Sequence, residues 1–270
     1  MRAACIQLCS TDDRQANLAA SENLIRAAHD KGAKFIATPE NTSLIENSKS
    51  RLFEVVTPEE NSIEVAFFSS LAKELRVNLL IGGMPIKISD SKAANRSFIF
   101  GKDGQIKARY DKMHMFDVQI NEEETWLESA TYQAGLKPTL VDVGEFKLGM
   151  TICYDLRFAD LYKYYAMNGA NIISVPSAFT RPTGKAHWKS LLRARAIETS
   201  SYVIAPAQGG EHNKSRSTWG HSLIISPWGK VVASIDHDQP GYCVADLSMA
   251  EVQKTRAQIP AWNQLTTLPE

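Results

Sequence analysis

The segment GAKFIATPE beginning at Gly32 is met again as GANIISVPS at Gly169, an offset of 137 residues, and each copy follows a helical pattern with Leu24 or Leu161 at the same distance. Each copy reads as helix, glycine stop, apolar strand and proline. A second pair, SFIFGKDGQIKAR from Ser97 and SLIISPWGKVVAS from Ser222, is offset by 125 residues and puts Gly104 and Gly229 in register. Both members read as β-hairpins, with period-two strands around a glycine-containing turn. The two offsets differ by 12 residues, a loop-length change between the paired segments. Self-similarity on this scale predicts two βαβ-plus-hairpin halves forming one pseudo-symmetric domain over residues 1–270.

Short apolar runs such as ACIQLC, FIAT and VNLLIGG alternate with the amphipathic stretches NLAASENLIRAAHDKG and SIEVAFFSSLAKELR, which argues an α/β fold. In the second stretch Ile63, Phe67, Leu71 and Leu75 recur every four residues and are expected to form one stripe against a sheet. Two sheets packed face to face, with helices on both outer faces, would bury all these runs: a four-layer α-β-β-α sandwich. Thirty basic residues balance thirty acidic ones, so no global field favours nucleic acid or an anionic membrane, and the expected partner is a small molecule or a protein. Cys5, Cys9, Cys153 and Cys243 form no C-x-x-C pair, as expected of reduced thiols in a cytoplasmic enzyme. No run reaches the ~18–20 apolar residues of a membrane span.

The stretch TICYDLRF puts a thiol where an apolar strand breaks into charge, so Cys153 is expected at a strand end rather than in mid-core. Glu40 ends FIATPE, and the duplication suggests that it shares a common position with Cys153, both facing one crevice beyond the carboxyl ends of parallel strands. Lys112 in RYDKMHMFD follows the first hairpin, again at a strand exit. A thiol, a carboxylate and an ammonium together can hydrolyse an unactivated amide. Glu40 would accept the thiol proton, Cys153 would attack the carbonyl, and Lys112 with the amide of Tyr154 would stabilise the oxyanion. Each residue alone has a plainer reading: a packed thiol, a turn glutamate, a solvated lysine. A Cys-His hydrolase using His114, His187 or His221 is the first rival, but no Asn or Asp spacing accompanies those histidines, and His114 is expected to help hold Lys112. No metal-ligand spacing and no phosphate loop is present, so neither metal nor cofactor is expected.

Taken in order, TPEN, YDKMHMFD, LES and TICYDLRF resemble the nitrilase superfamily of carbon-nitrogen hydrolases, over nearly the whole chain. PSAFTRPTGKAHWKSLLRARAIE and WGHSLIISPWGKVVA look like its amidase branch. The resemblance implies the four-layer sandwich, assembly into homodimers or larger oligomers, and a Glu40–Lys112–Cys153 triad with Glu128 orienting the lysine. AQGGEHNKSRSTWGHS and RPTGKAHW favour an amidase acting on deaminated glutathione, with omega-amidase action on 2-oxoglutaramate or 2-oxosuccinamate as the alternative. Nitrile or N-carbamoyl hydrolysis, or a catalytically silent interaction protein, are further alternatives. Such substrates carry a carboxylate as well as the amide. Arg181, Lys185 and Arg193 stand near enough in sequence to meet it, whereas Arg193 and Arg195 are expected to bond acids such as Glu198 or Asp155; Phe179 and Thr180 are expected to line the pocket. Where the branch carries Arg-Phe-Pro-Glu-Leu, this chain has Arg157-Phe158-Ala159-Asp160-Leu161, and an acidic Glu122-Glu123-Glu124 run, given no role, stands in the loop before Glu128.

Overall fold

The structure, a computed structural model, describes residues 1–120, 122, 125–213 and 216–264. The first half comprises β1 (Arg2–Gln7), α1 (Arg14–Asp30), β2 (Phe35–Ala37), α2 (Lys49–Val55), α3 (Ile63–Leu75), β3 (Asn78–Lys87), β4 (Ala93–Phe100) and β5 (Ile106–Asp111). A small hairpin, β6 (Asp117–Gln119) and β7 (Thr125–Leu127), leads to β8 (Thr139–Val143), β9 (Phe146–Met150), α4 (Ala159–Met167), β10 (Ile172–Ser174), α5 (Arg181–Thr199) and β11 (Tyr202–Ala205). The chain continues through a second hairpin, β12 (Gly209–Asn213) and β13 (Arg216–Trp219), to β14 (Leu223–Ile225), β15 (Val231–Ser234), β16 (Gly241–Asp246) and α6 (Met249–Gln258).

Two six-stranded sheets have orders β16-β1-β2-β3-β4-β5 and β15-β14-β11-β10-β9-β8. Read from opposite ends they are one topology, with three parallel strands in the middle (β1-β2-β3 and β9-β10-β11) and antiparallel neighbours on both sides. The predicted duplication is therefore present in strand order. Gly32 and Gly169 take the left-handed backbone (φ +85° and +90°) just past their helices, and Gly104 and Gly229 take it in the two hairpin turns (φ +79° and +81°). The length difference between the halves falls between β2 and β3, where the first half inserts α2.

Strand alternation sets the layers. Ala3 and Cys5 of β1 join a core with Leu148, Met150, Ile172 and Val203 of the other sheet, whereas Ala4 and Ile6 pack with Ile25 of α1 and Phe68 of α3. On the far side Tyr162 and Tyr165 of α4 and Trp188 and Leu192 of α5 cover the second sheet, which completes the four layers. Side chains cap two helix starts: Asp13 accepts from the Ala16 amide (3.0 Å) and Ser62 from the Val65 amide (3.3 Å).

Two expectations are corrected. The stripe of α3 is Val65, Phe68, Leu71 and Ala72, while Ile63 is 60% exposed and Phe67 and Leu75 are only partly buried. A strict four-residue spacing advances about 400° per step on a helix of about 3.6 residues per turn, so it walks off the buried face, whereas mixed three- and four-residue steps stay on it. Glu40 and Cys153 are also not repeat mates. Phe35 pairs with Ala3 as Ile172 pairs with Leu148, so Glu40 corresponds to Ser177 and Cys153 to Leu8. They meet because both follow the carboxyl ends of central strands, in two sheets that face each other.

Gly82 of β3 lies where the two halves are in contact. A Cβ there would lie 2.2 Å from Pro176 Cβ and 2.2 Å from the Thr38 carbonyl oxygen. Pro39 and Pro176 are the equivalent prolines of the repeat, so a side chain at Gly82 would wedge the two halves apart directly behind the site. Gly82→Ala is expected to destabilise the fold by about 1–3 kcal/mol through overpacking, read as a fall in thermal midpoint, with activity lost more than stability alone accounts for.

Candidate active site

A cavity of about 480 Å³ opens beyond the carboxyl ends of β2, β9 and β10, and Glu40, Lys112, Glu128 and Cys153 all line it. Glu40 follows Pro39 and precedes Asn41, whose left-handed backbone (φ +57°) turns the chain sharply. The carboxylate is buried and fully engaged: Oε1 accepts from Asn95 Nδ2 (2.8 Å) and Lys112 Nζ (3.0 Å), and Oε2 from the Ala178 amide (3.0 Å). Lys112, one residue past β5, also donates to Glu128 Oε2 (2.7 Å). Glu128 in turn accepts from the Phe116 amide (2.7 Å) and Asn95 Nδ2 (3.3 Å). One ammonium thus stands between two carboxylates, and one amide side chain bridges the same pair.

Cys153 heads a short 3-10 turn (Cys153–Arg157) with a left-handed backbone (φ +50°) and donates its amide to the Pro176 carbonyl (2.9 Å). That conformation costs about 1–2 kcal/mol in an L-residue, and here it turns the side chain from the strand into the cavity. The thiol faces the Glu40 carboxylate across the cavity wall that both line, near enough for each to bear on the other's ionisation. The amide of Tyr154 belongs to the first positions of the same turn, where N–H groups have no intrahelical acceptor. Asp155, fully buried, pins the turn. Its oxygens accept from the Ile152 amide (2.9 Å), the Tyr110 hydroxyl (2.7 Å) and the His114 amide (3.0 Å), and the His114 ring Nδ1 lies 2.7 Å away. The segment carrying Lys112 and the turn carrying Cys153 are thereby tied together.

Charge follows from this packing. Burial would raise the Glu40 carboxyl, but Lys112 above all, with the Cys153 thiol and Arg216, outweighs it and holds Glu40 below the ordinary carboxylate range. Burial would likewise lower Lys112, yet Glu128, Glu40 and Cys153 raise it well above its usual value. Burial and the Glu40 charge push the Cys153 thiol far up, against the pull of Lys112 and the Ala178 amide. These directions describe an ionised glutamate beside a protonated thiol, an arrangement that is chemically able to pass a proton from sulfur to carboxylate.

Tyr154, Phe179 and Thr180 line the cavity, while Arg181, Lys185 and Arg193 do not. Arg181 pairs with Asp238 (2.7 Å), Lys185 is exposed and Arg193 donates to the Gly229 carbonyl (2.9 Å). Arg195 does pair with Glu198 (2.8 Å) but puts its other donors on the Leu156 carbonyl, because Asp155 is already engaged. The histidines are occupied elsewhere: His114 with Asp155 and stacked on Phe158, His187 beside Arg157 (3.3 Å), and His221 stacked on Trp219. Among the described residues no group of three His, Cys, Asp or Glu side chains is placed to hold a metal. Glu122 is exposed, and Glu123 and Glu124 lie outside the described residues. Sequence reasoning missed Asn95, Arg157, Trp126, Tyr132 and Arg216. Only Asn95 left a signal, as an amide in the otherwise apolar start of β4.

The family model for carbon-nitrogen hydrolases matches residues 2–257. The chain is 40% identical over 263 residues to the deaminated glutathione amidase of Synechocystis, covering 96% of each protein. It is 33% identical over 257 residues to the chloroplastic omega-amidase of Arabidopsis thaliana, covering 94% of this chain and 69% of that protein. The crystal structure of Saccharomyces cerevisiae Nit3, a member of branch 10 of the nitrilase superfamily, superposes with a TM-score of 0.84 at 30% identity, over 96% of this chain and 94% of that one.

The charge states carry a pH signature. Glu40, with its pKa depressed on folding, contributes stability that is present above the unfolded value of about 4.3 and is lost as pH falls through the folded value. The acid limb of kcat/KM is therefore expected below about pH 4.3, with no inflection near the histidine value of about 6.5. Glu40→Gln is expected to remove the carboxylate part of the acid-stability slope, read from thermal midpoints against pH. An activity step between pH 6 and 7 that disappears in His114→Ala would instead identify an imidazole base.

Proposed function

The chain belongs to the carbon-nitrogen hydrolase family, and from that premise we propose that it works as a single domain over residues 1–270, hydrolysing the amide of a small 2-oxo acid, deaminated glutathione foremost, through a thioester on Cys153. The observation that carries this reading is the buried Lys112 ammonium held between Glu40 and Glu128 beside the Cys153 thiol. As Sγ attacks the amide carbon, Glu40 takes the thiol proton, and the charge growing on oxygen meets the Lys112 ammonium and the Tyr154 amide. Glu40 then passes that proton to the departing nitrogen as the C–N bond breaks. Water enters, Glu40 takes a proton from it, the hydroxyl oxygen bonds to the thioester carbon, and the C–S bond breaks with the proton returned to sulfur.

The cavity wall favours an anionic substrate although the chain as a whole is neutral. Lys49, Lys112, Arg157 and Arg216 line it against Glu40, Glu46 and Glu128, an excess of one positive charge. Glu128 orients Lys112, Tyr154 also gives its ring to the wall, and Phe179 and Thr180 border the acyl group. Preference for deaminated glutathione rests on the higher identity to the relative bearing that name, and omega-amidase action on 2-oxoglutaramate is the second reading, favoured by the relative from Arabidopsis. No helix among the described residues is long and apolar enough to cross a membrane. The four free cysteines suit a reducing compartment such as the cytoplasm. Exposed Ile197 and neighbouring Trp228 support assembly into a homodimer or larger oligomer.

Release of 2-oxoglutarate from deaminated glutathione and from 2-oxoglutaramate, with ammonia release from plain glutamine as the control, tests the reading. The first is expected to be the better substrate. Cys153→Ala is expected to abolish turnover of both while thermal unfolding stays close to that of the parent protein; unchanged turnover would reject the thiol mechanism, and exclusive action on a nitrile or an N-carbamoyl compound would reject the substrate class.

A further inference from the structure

Two arginines reach the cavity, and they stand in different surroundings. Arg157 closes the turn headed by Cys153, with its guanidinium over the rings of Tyr154 (5.9 Å) and Phe179 (5.5 Å). Arg216 opens β13, with its guanidinium 5.3 Å from the centre of the Trp126 ring. The residue before its hairpin, Gln208, donates to the Glu40 and Asn41 carbonyls (3.0 and 3.1 Å), and the Arg216 charge bears on Glu40 and Tyr132, so Arg216 stands on the side of the cavity where the proton acceptor lies. The stem of its hairpin is anchored from beneath: His212 Nε2 meets the Thr218 hydroxyl (2.6 Å) and His212 Nδ1 meets the Ser10 carbonyl (2.7 Å). Among the described residues no carboxylate lies within ion-pair distance of Arg216.

Chemistry assigns the two sides. The acyl half of an amide stays on the Cys153 sulfur after the C–N bond breaks, whereas the leaving nitrogen must meet the proton carried by Glu40. A cation on the Glu40 side therefore faces the leaving half. We propose that Arg216, shelved on Trp126, is a specificity residue that receives a carboxylate borne by the leaving amine. This deepens the function proposed above and rests on it. The substrates so selected are amides of a 2-oxo diacid with an amino acid or short peptide, as distinct from primary amides that release ammonia and leave nothing for Arg216 to hold. A guanidinium placed 5.3 Å from an aromatic ring centre is positioned by that ring and can still offer its planar fork to a carboxylate bidentately, which a lysine at the same place would not reproduce.

The test uses the full-length protein, its Arg216→Gln and Arg216→Lys variants, and three substrates sharing one acyl half: deaminated glutathione, its C-terminal carboxamide and 2-oxoglutaramate. Release of 2-oxoglutarate gives kcat/KM for each, and circular dichroism establishes that the variants are folded. In the parent protein the carboxamide is expected to fall below deaminated glutathione by about 10- to 100-fold, the worth of one charge-assisted pair. In Arg216→Gln, deaminated glutathione is expected to lose a similar factor relative to 2-oxoglutaramate, mostly in KM, and to become indistinguishable from its carboxamide; Arg216→Lys is expected to recover part of the loss. An equal fall for all three substrates would overturn the proposal, because Arg216 would then act through Glu40 or the fold, and so would a variant that still discriminates against the carboxamide. A parent protein that hydrolyses none of the three would reject the proposed function and this proposal with it, whereas turnover indifferent to the terminal carboxylate rejects only this one.

Discussion

A lysine ammonium buried between two carboxylates is the constraint on which the site depends. Lys112 and Glu40 are 2% and 3% exposed, and an uncompensated charge at that depth is costly by several kcal/mol. The arrangement holds only because Glu40, Lys112 and Glu128 arrive together, with Asn95 spanning the two acids. Removing one partner from such a buried set typically costs about 3–5 kcal/mol, so the network also disciplines the loops that carry it. Its electrostatic result is an ionised carboxylate beside a protonated thiol, the state from which the proposed mechanism has one glutamate move protons in both halves of an acyl transfer.

The duplicated framework is symmetric in topology and asymmetric in chemistry. Glu40 corresponds to Ser177, whose hydroxyl is bonded within its own loop to the Val175 carbonyl (3.1 Å), and Cys153 corresponds to Leu8, a core residue. The repeat supplies two facing sheets whose parallel strands end at one level, and each half then decorates its own loops differently. The close approach at Gly82 brings the two proline-marked strand ends together. The Asp155 cluster adds what the repeat lacks, a tie between the first-half segment after β5 and the second-half turn at Cys153.

Much of the frame was legible. The two repeated segments, their glycines and the hairpins appear as expected, because each is specified locally by helix stops, turn glycines and strand alternation. The stripe on α3 was misplaced by a spacing that fits a sequence more neatly than it fits a helix. Of the site, Glu40, Lys112, Glu128 and Cys153 were named from strand ends and from the family likeness, and the structure gathers them. Arg157 and Arg216 were given no role, since an arginine in a turn or a short hairpin looks like any solvated one until the opposite wall of the cavity is known. Arg181 and Arg193 were near in sequence yet are drawn away, one to Asp238 and the other to a carbonyl.

By itself the sequence determined the halves, the alternation of strands and helices, and the presence of a thiol, a carboxylate and an ammonium at strand exits, because those features depend on neighbours within a few residues. Only the tertiary structure decided which charges face one another, which arginines reach the cavity and which histidine is taken up by Asp155. The reason is physical. Ionisation and hydrogen bonding depend on burial and on distances of about 3 Å between groups far apart in the chain, and nothing in local spacing encodes those until the two sheets have packed.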